Sequence, residues 1–218
     1  MIVGVDEAGR GPVLGPLVVA GVGVESDVAL RQLNVRDSKK LTPERRDAMA
    51  PEIERLCKCE LIVIPAERID VMRAEMSLND FEAKLFASII EALHPETAYV
   101  DAADVDEIEF KKAVLRELPF DVEVVSQHNA DELFPVVSAA SILAKVRRDR
   151  EMRAIGEEFG VPVGSGYPAD ADTIAFLEKW IRETGSLPPH TRTSWDTARR
   201  LLAESRNRKL DEFGGVKE

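Results

Sequence analysis

Acidic side chains follow three apolar runs of the sequence, each of which predicts a β-strand. Asp6 and Glu7 come directly after the apolar start of the chain, Asp101 follows a second run, and Asp131 lies between a third run and a helical pattern. If these strands are neighbours, their carboxyl ends meet at one edge of the sheet, where α/β proteins tend to place chemistry. Adjacent carboxylates there repel each other unless a cation neutralises them or water solvates both.

A set of carboxylate oxygens suits Mg²⁺ or Mn²⁺, because these hard ions prefer carboxylate and water ligands. Two such ions can activate a water and stabilise the leaving oxygen of a phosphodiester. The alternative is structural, since acids in loops often cap helices, and for Asp131 this alternative stays open. Capping explains the pair Asp6 and Glu7 less well. The nearby Asp104, Asp106 and Glu107 are better explained as first-turn acids that face a helix dipole.

The glycine-rich segment Gly9-Arg10-Gly11 can bring its backbone close to a ligand, because glycine has no Cβ and tolerates positive φ. It does not match the dinucleotide-binding pattern, since the next glycine is Gly15, one position too late, and the chain contains no P-loop pattern. An ordinary hairpin loop is the alternative interpretation of this segment.

The apolar patterning predicts a mixed α/β fold. Two antiparallel strands at its start are followed by strands that alternate with helices, which is typical of parallel pairing. The predicted strands cover residues 2–5, 17–24, 61–64, 98–100 and 122–125, and the longer predicted helices cover residues 78–93, 108–118, 135–155 and 171–183.

Two further expectations concern chain organisation. Pro51 is expected to break or kink the helix that begins near Thr42. Because no strand is predicted after about Gly160, residues 1–160 are expected to form the α/β domain and residues 161–218 a helical C-terminal appendage.

Composition excludes several classes of protein. The 218 residues are 44% hydrophobic and 32% charged, with a net charge of −11, which argues against a general nucleic-acid coat. No apolar run is long enough to span a bilayer, no secretory signal is recognisable, and Cys57 and Cys59 offer neither a disulfide framework nor a zinc site. We expect a globular protein of the reducing cytoplasm with no membrane partner.

Five ordered motifs give the sequence a close resemblance to the type 2 ribonucleases H, the ribonuclease HII family, and in their spacing to its archaeal members. The resemblance covers residues 1 to about 200. The motifs are Gly4-Val-Asp6-Glu7-Ala8-Gly9-Arg10-Gly11-Pro12, Asp37-Ser38-Lys39-Lys40-Leu41, Tyr99-Val100-Asp101, Ala130-Asp131 with the helix 138–145, and Gly164-Ser165-Gly166-Tyr167-Pro168-Ala169-Asp170.

This resemblance implies a ribonuclease H-like mixed five-stranded sheet flanked by helices, with a helical C-terminal appendage. It implies an endonuclease that hydrolyses the RNA strand of RNA/DNA hybrids and cleaves 5′ of single ribonucleotides embedded in duplex DNA, leaving 3′-hydroxyl and 5′-phosphate ends. The family's four metal-binding acids map onto Asp6, Glu7, Asp101 and Asp131, with two Mg²⁺ or Mn²⁺ ions during catalysis. A DNA resolvase or exonuclease on the same fold, and a non-catalytic module that binds hybrids, are the alternatives.

The resemblance also implies how the substrate is recognised. The backbone of Gly9, Arg10 and Gly11 and the ring of Tyr167 are expected to recognise the ribose 2′-hydroxyl and the RNA-to-DNA junction, because this hydroxyl distinguishes the two polymers. For Tyr167, a loop tyrosine packed on the core is the alternative.

Basic motifs resemble the family's phosphate contacts, which position a duplex without reading its sequence. The expected contacts are Ser38, Lys39 and Lys40. Lys145, Arg147 and Arg148 could extend that surface, but helical spacing places only some of them on any one face.

The tail resembles the sliding-clamp-binding peptide Q-x-x-L-x-x-F-F, with Asn207 and Gly214 at the two altered positions. Leu210 and Phe213 would form an apolar anchor pair for a pocket on a clamp. A frayed terminus that folds back onto the body is the alternative.

Overall fold

The structure is a computed structural model that describes residues 1–35 and 41–214, with side chains as far as Asn207. The chain divides into two units, each assembled from stretches that are separate in sequence. Unit 1 comprises Met1–Gly9, Leu17–Val63 and Glu75–Arg148, and unit 2 comprises Arg10–Pro16, Ile64–Ala74 and Asp149–Glu218.

A five-stranded mixed sheet belongs to unit 1. Its strands are β1 (Ile2–Ala8), β2 (Leu17–Val24), β3 (Lys58–Ile64), β4 (Thr97–Asp101) and β5 (Glu123–Gln127). They run in the order β3-β2-β1-β4-β5, with β1 antiparallel to β2, β1 parallel to β4 and β4 parallel to β5. The antiparallel start and the parallel continuation predicted from the sequence are therefore confirmed.

Nine helices lie among the described residues. They are α1 (Val28–Gln32), α2 (Pro43–Leu56), α3 (Ala66–Glu75), α4 (Leu78–Leu93), α5 (Glu107–Glu117), α6 (Ala130–Leu133), α7 (Pro135–Phe159), α8 (Ala171–Thr184) and α9 (Asp196–Gly214). The long amphipathic helices were predictable, whereas the apolar pattern gave no clear signal for the short helices α1 and α6 or for α3.

Side-chain caps define several of the helix starts. Thr42 and Ser77 each accept a hydrogen bond from the backbone N–H three residues on, at 3.3 and 3.1 Å. Asp106 caps α5 through Ile108 and Glu109, so the prediction that acids here serve the helix end is confirmed.

The break or kink expected at Pro51 proves to be no interruption, because α2 continues to Leu56. Proline removes only the one hydrogen bond to the carbonyl of Asp47. Pro51 is exposed, and burial of Met49, Ala50 and Ile53 on the other face holds the helix together.

Close approach of a helix to β1 explains the glycine in the middle of that strand. A Cβ at Gly4 would lie 2.2 Å from the backbone carbonyl carbon of Val136 in α7, so only glycine fits there. Val3 and Val5 are fully buried on either side. Packing on both faces thus holds β1 in place. The strand extends to Ala8, so Asp6 and Glu7 lie within β1 and are paired with β2, whereas the sequence placed them just after the strand.

Unit 2 has a hydrophobic core of its own. Val13 and Leu14 from the turn after β1 pack with residues of α7, α8 and α9, including Phe176, Leu177 and Ala198. α8 ends at Gly185, which adopts the left-handed conformation with φ 75°, as its sequence position predicts.

The two units do not follow the sequence division into residues 1–160 and 161–218, because residues 10–16 and 64–74 cluster with residues 149–218. No helix in the described part of the chain is long and apolar enough to cross a membrane.

Candidate active site

Asp6 and Asp101, two of the predicted acids, lie where the parallel pairing of β1 with β4 ends. The register of β1 and β4 pairs Val5 with Val100, so that Asp6 and Asp101 each follow a paired position. Asp6 is buried, with 5% of its surface exposed, and its Oδ1 accepts a hydrogen bond from the backbone N–H of Glu7 at 2.7 Å. The expected meeting of acids from separate strands is therefore observed for β1 and β4.

Burial and like charge raise the pKa of Asp6 well above its ordinary value. Loss of hydration is the largest cause, followed by the negative charges of Glu7 and then Asp101. The ionised form of Asp6 is therefore electrostatically unfavourable in this environment. The edge therefore has a local excess of negative charge that a cation would relieve.

Two side chains of α7 oppose this effect, and the sequence interpretation missed their role. The hydroxyl of Ser141 donates a hydrogen bond to the Asp6 carboxylate, and this bond lowers the pKa of Asp6. The positive charge of Lys145 also lowers it, and the two effects together offset part of the rise. The Lys145 ammonium donates to Ser141 Oγ at 2.8 Å. The i, i+4 spacing of a serine and a lysine on one helix was the available signal.

The basic surface suggested for this helix is narrower than the three residues considered. Arg148 is buried, with 5% of its surface exposed, and the Lys145 ammonium is engaged by Ser141. Of the three basic residues considered, only Arg147 is exposed.

The fourth predicted acid lies on the short helix beside β4. The backbone N–H of Ala130 donates to Asp101 Oδ1 at 3.1 Å, which ties the start of α6 to the end of β4. Asp131 follows within the first turn of α6 and is 2% exposed. It is not the capping residue, since Asn129 holds that position.

The acids are not arranged as a preformed metal cage. Within residues 1–35 and 41–207, no group of three or more His, Cys, Asp or Glu side chains has a geometry that could already hold a metal ion. The donor set nevertheless fits a hard divalent cation in its chemistry and charge, because all the candidate ligands are carboxylate oxygens and crowding raises the pKa of Asp6.

The glycine segment spans the boundary between the units, with Gly9 in unit 1 and Arg10 and Gly11 in unit 2. Gly9 has φ 88°, a conformation that other residues rarely adopt. A Cβ built on Gly11 would lie 3.8 Å from Cε1 of Tyr167, in ordinary contact with the edge of the ring. Gly11 and Tyr167 are therefore neighbours in unit 2, and Tyr167 is 41% exposed.

Backbone hydrogen bonds join the two loops of unit 2. The N–H groups of Val13 and Leu14 both donate to the carbonyl of Gly166, at 2.8 and 3.2 Å. Asp170 closes the second loop by accepting from the backbone and hydroxyl of Ser165 at 2.6 and 2.5 Å. These hydrogen bonds lower the pKa of Asp170 to about 2. Tyr167 thus stands on a loop that is fixed at both ends.

The other five predicted positions have no described side chain. Ser38, Lys39 and Lys40 lie outside the described residues. Leu210 and Phe213 lie on the backbone of α9, beyond the last described side chain.

A mixed five-stranded sheet in the order β3-β2-β1-β4-β5, flanked by helices, is a ribonuclease H-like fold. The family profile described as Ribonuclease HII matches residues 3–198. Ribonuclease HII of Methanoregula boonei is 47% identical over 213 residues, which cover 98% of this chain and 100% of the relative.

Solved structures agree with this assignment. The crystal structure of ribonuclease H2 from Pyrococcus horikoshii OT3 has a TM-score of 0.87 and 38% identity, covering 94% of this chain and 98% of that one. The structure of the PCNA:RNase HII complex from Archaeoglobus fulgidus has a TM-score of 0.86 and 42% identity, covering 92% of this chain and 96% of that one. The chain belongs to the ribonuclease HII family and is a nuclease of the ribonuclease H type.

Proposed function

We propose that this nuclease is an endonuclease that hydrolyses the RNA strand of RNA/DNA hybrids and cuts duplex DNA 5′ of a single embedded ribonucleotide. The products carry 3′-hydroxyl and 5′-phosphate ends, and the reaction serves the removal of ribonucleotides from DNA. The observation that carries the proposal is the buried, crowded carboxylate of Asp6 beside Glu7 and Asp101. A pure binding module would gain nothing from such repulsion, because the same charges repel the phosphates of a substrate.

Asp6, Glu7, Asp101 and Asp131 would hold two Mg²⁺ or Mn²⁺ ions. When bound, these ions supply activation of the attacking water and stabilisation of the leaving oxygen. The Ser141 hydroxyl and the positive charge of Lys145 oppose the rise in the pKa of Asp6 and so favour its ionised form, and the hydrogen bond from Ser141 orients the carboxylate. The burial of Asp6 and Asp131 keeps bulk water from competing for their oxygens.

Recognition of the ribose is proposed for the backbone of Gly9, Arg10 and Gly11 together with Tyr167. A backbone without a side chain at Gly11 allows a sugar to approach closely and to be tested for a 2′-hydroxyl by a hydrogen bond. The contact between Gly11 and the ring edge of Tyr167 supports a shared role at the RNA-to-DNA junction. Ser38, Lys39 and Lys40 are proposed to contact phosphates, which gives affinity without sequence preference.

One assay tests the reaction and separates it from the alternatives. A DNA duplex with one ribonucleotide and an all-DNA duplex are each incubated with the enzyme in Mg²⁺, in Mn²⁺ or in chelator. Cleavage only of the first duplex, only with metal, and only on the 5′ side of the ribonucleotide is expected. Cleavage of the all-DNA duplex would indicate a resolvase or exonuclease, and binding without cleavage in any metal would indicate a non-catalytic module.

A sliding clamp is the proposed protein partner. The Archaeoglobus fulgidus structure, described as a PCNA:RNase HII complex, supports this proposal. Leu210 and Phe213, three residues apart on the backbone of α9, are proposed as the anchor pair. Calorimetry of a peptide of residues 204–218 against the clamp should give saturable binding that Leu210→Ala with Phe213→Ala removes. No heat at high micromolar concentration would refute the proposal.

A further inference from the structure

A buried arginine of unit 2 holds residues 10–15, the glycine loop, through hydrogen bonds. Arg192 is fully buried, and its Nη1 donates to the carbonyl of Arg10 at 2.9 Å while its Nε donates to the carbonyl of Gly15 at 3.0 Å. Its backbone N–H also donates to the carbonyl of Val13 at 2.8 Å. One residue thus satisfies three carbonyls of residues 10–15.

An indole supplies a further hydrogen bond to the same loop. Nε1 of Trp195 donates to the carbonyl of Gly11 at 3.2 Å. The Arg192 guanidinium lies over the Trp195 ring at 4.9 Å, and that of Arg73 lies over it at 4.6 Å. Such cation–π contacts hold the indole in place.

Asp70 anchors the segment between the arginine and the tryptophan. Its carboxylate accepts from the backbone and hydroxyl of both Thr193 and Ser194, at 2.6 to 3.1 Å. Burial acts to raise the pKa of Asp70, and these hydrogen bonds outweigh it, so that the pKa is lowered. The segment that carries the two donors is therefore rigid before any substrate arrives.

Peptide geometry gives this network a specific consequence. A trans peptide is planar, so the N–H of one residue points away from the carbonyl of the residue before it. The side chains of Arg192 and Trp195 bind three carbonyls of the loop. Two of them, those of Gly11 and Gly15, are followed by a proline, which has no N–H. The carbonyl of Arg10 precedes Gly11, so fixing that carbonyl aims the Gly11 N–H away from the buried guanidinium.

We infer that Arg192 and Trp195 are positioning residues, which set the Gly11 N–H in the direction from which it donates to the substrate 2′-oxygen. This inference rests on the proposed function of the glycine loop. It assigns a role in ribose recognition to two residues that do not touch the ribose themselves. Their contribution is preorganisation, since the donor pays no ordering cost when the sugar binds.

The test compares Trp195→Phe with Trp180→Phe. Phenylalanine keeps a ring at position 195 and removes the donor to Gly11. The control removes an indole N–H that makes no hydrogen bond to any residue the structure describes. Arg192→Lys is the second variant, because lysine keeps the charge but cannot reach two carbonyls as a guanidinium does.

The measurements are kcat and KM on a duplex with one ribonucleotide, the ratio of affinities for this duplex and for all-DNA duplex in chelator, and the melting temperature. Trp195→Phe should lower kcat about 3- to 10-fold and Arg192→Lys tenfold or more, as expected for one neutral bond and for two charged ones. Both should shift the affinity ratio towards 1 and leave affinity for all-DNA duplex unchanged. Simple destabilisation would lower the melting temperature without changing that ratio.

Two results would be decisive against the inference. If Trp195→Phe and Arg192→Lys keep kcat and the affinity ratio within twofold of the Trp180→Phe control, the loop does not depend on these donors. If the unmodified enzyme cleaves the hybrid but ignores a single ribonucleotide, the proposed recognition fails first and the positioning role fails with it.

Discussion

The carboxylate edge of unit 1 consists of Asp6, Glu7 and Asp101, and the glycine loop of unit 2 consists of residues 10–15. Repulsive interactions dominate at the edge, and attractive interactions dominate in the loop. At the edge, Asp6 is buried beside Glu7 and Asp101, and the repulsion among them raises its pKa. In the loop, carbonyls are satisfied by a buried guanidinium and an indole. The edge holds an unfavourable interaction that a bound cation would relieve, whereas the carbonyls of the loop are satisfied without any ligand.

The two regions differ because their tasks differ. Carboxylates that repel each other in the empty site favour cation binding, because the relief of repulsion adds to the affinity. A backbone that reads a sugar hydroxyl must be rigid when empty, because flexibility there would cost affinity and discrimination. Substitutions at the edge should therefore separate activity from stability, and substitutions in the loop should separate recognition from stability.

The largest effect is expected for Asp6→Asn. Loss of a carboxylate that holds metal should lower cleavage about 1,000-fold or more, since metal ions contribute several kcal/mol to such transition states. The melting temperature in chelator at neutral pH should stay level or rise, because the repulsion with Glu7 and Asp101 is relieved. Asp121→Asn, an exposed control with the same charge change, should leave both quantities unchanged.

Gly11→Ala should lower cleavage at a single ribonucleotide about tenfold or more while leaving the melting temperature nearly unchanged. The new methyl meets Tyr167 at only 3.8 Å, an ordinary contact for the protein, but it occupies the space that a sugar needs. Gly9→Ala is the informative comparison, since φ 88° makes alanine strained there by about 1–2 kcal/mol. Equal losses of stability in the two variants would remove the distinction.

The pH dependence of stability should carry the signature of Asp6. Because its folded pKa is raised above 3.8, the folded state binds the proton more tightly than the unfolded state. The free energy of unfolding in chelator should therefore fall as pH rises above about 3.8, until the folded pKa is passed. Chemical denaturation across this range should show the slope in the native protein and a smaller slope in Asp6→Asn.

The smallest effect is expected for Asp170→Ala. Asp170 is the N-cap of α8 and accepts from the backbone N–H of Asp172 at 3.0 Å, so the loss should be about 1 kcal/mol in the free energy of unfolding, as for other helix caps. The pKa of Asp170 is lowered to about 2, so its contribution should be complete above 3.8 and disappear as pH falls towards 2. Asp172→Ala, at an exposed neighbouring acid, is the control. A variant as stable as the control at pH 7 would show that this cap contributes nothing.

Local patterns in the sequence determined much of this protein. Alternation of apolar strands and amphipathic helices predicted the mixed sheet, and caps such as Ser77 and the stop at Gly185 followed from residue type, because these interactions span only a few residues. The meeting of Asp6 with Asp101 could also be predicted, since parallel strands bring their carboxyl ends to the same edge. The order of the motifs carried the family assignment.

Only the tertiary structure decided which polar side chains are buried and what they hold. Arginine is rarely buried, so nothing in its neighbourhood marks Arg192 as the donor to carbonyls 177 and 182 residues away in sequence. For the same reason the sequence did not show which of Lys145, Arg147 and Arg148 is buried, and the structure buries Arg148. Unit 2 is assembled from residues 10–16, 64–74 and 149–218, and contacts between such distant segments arise from packing, which no local pattern encodes.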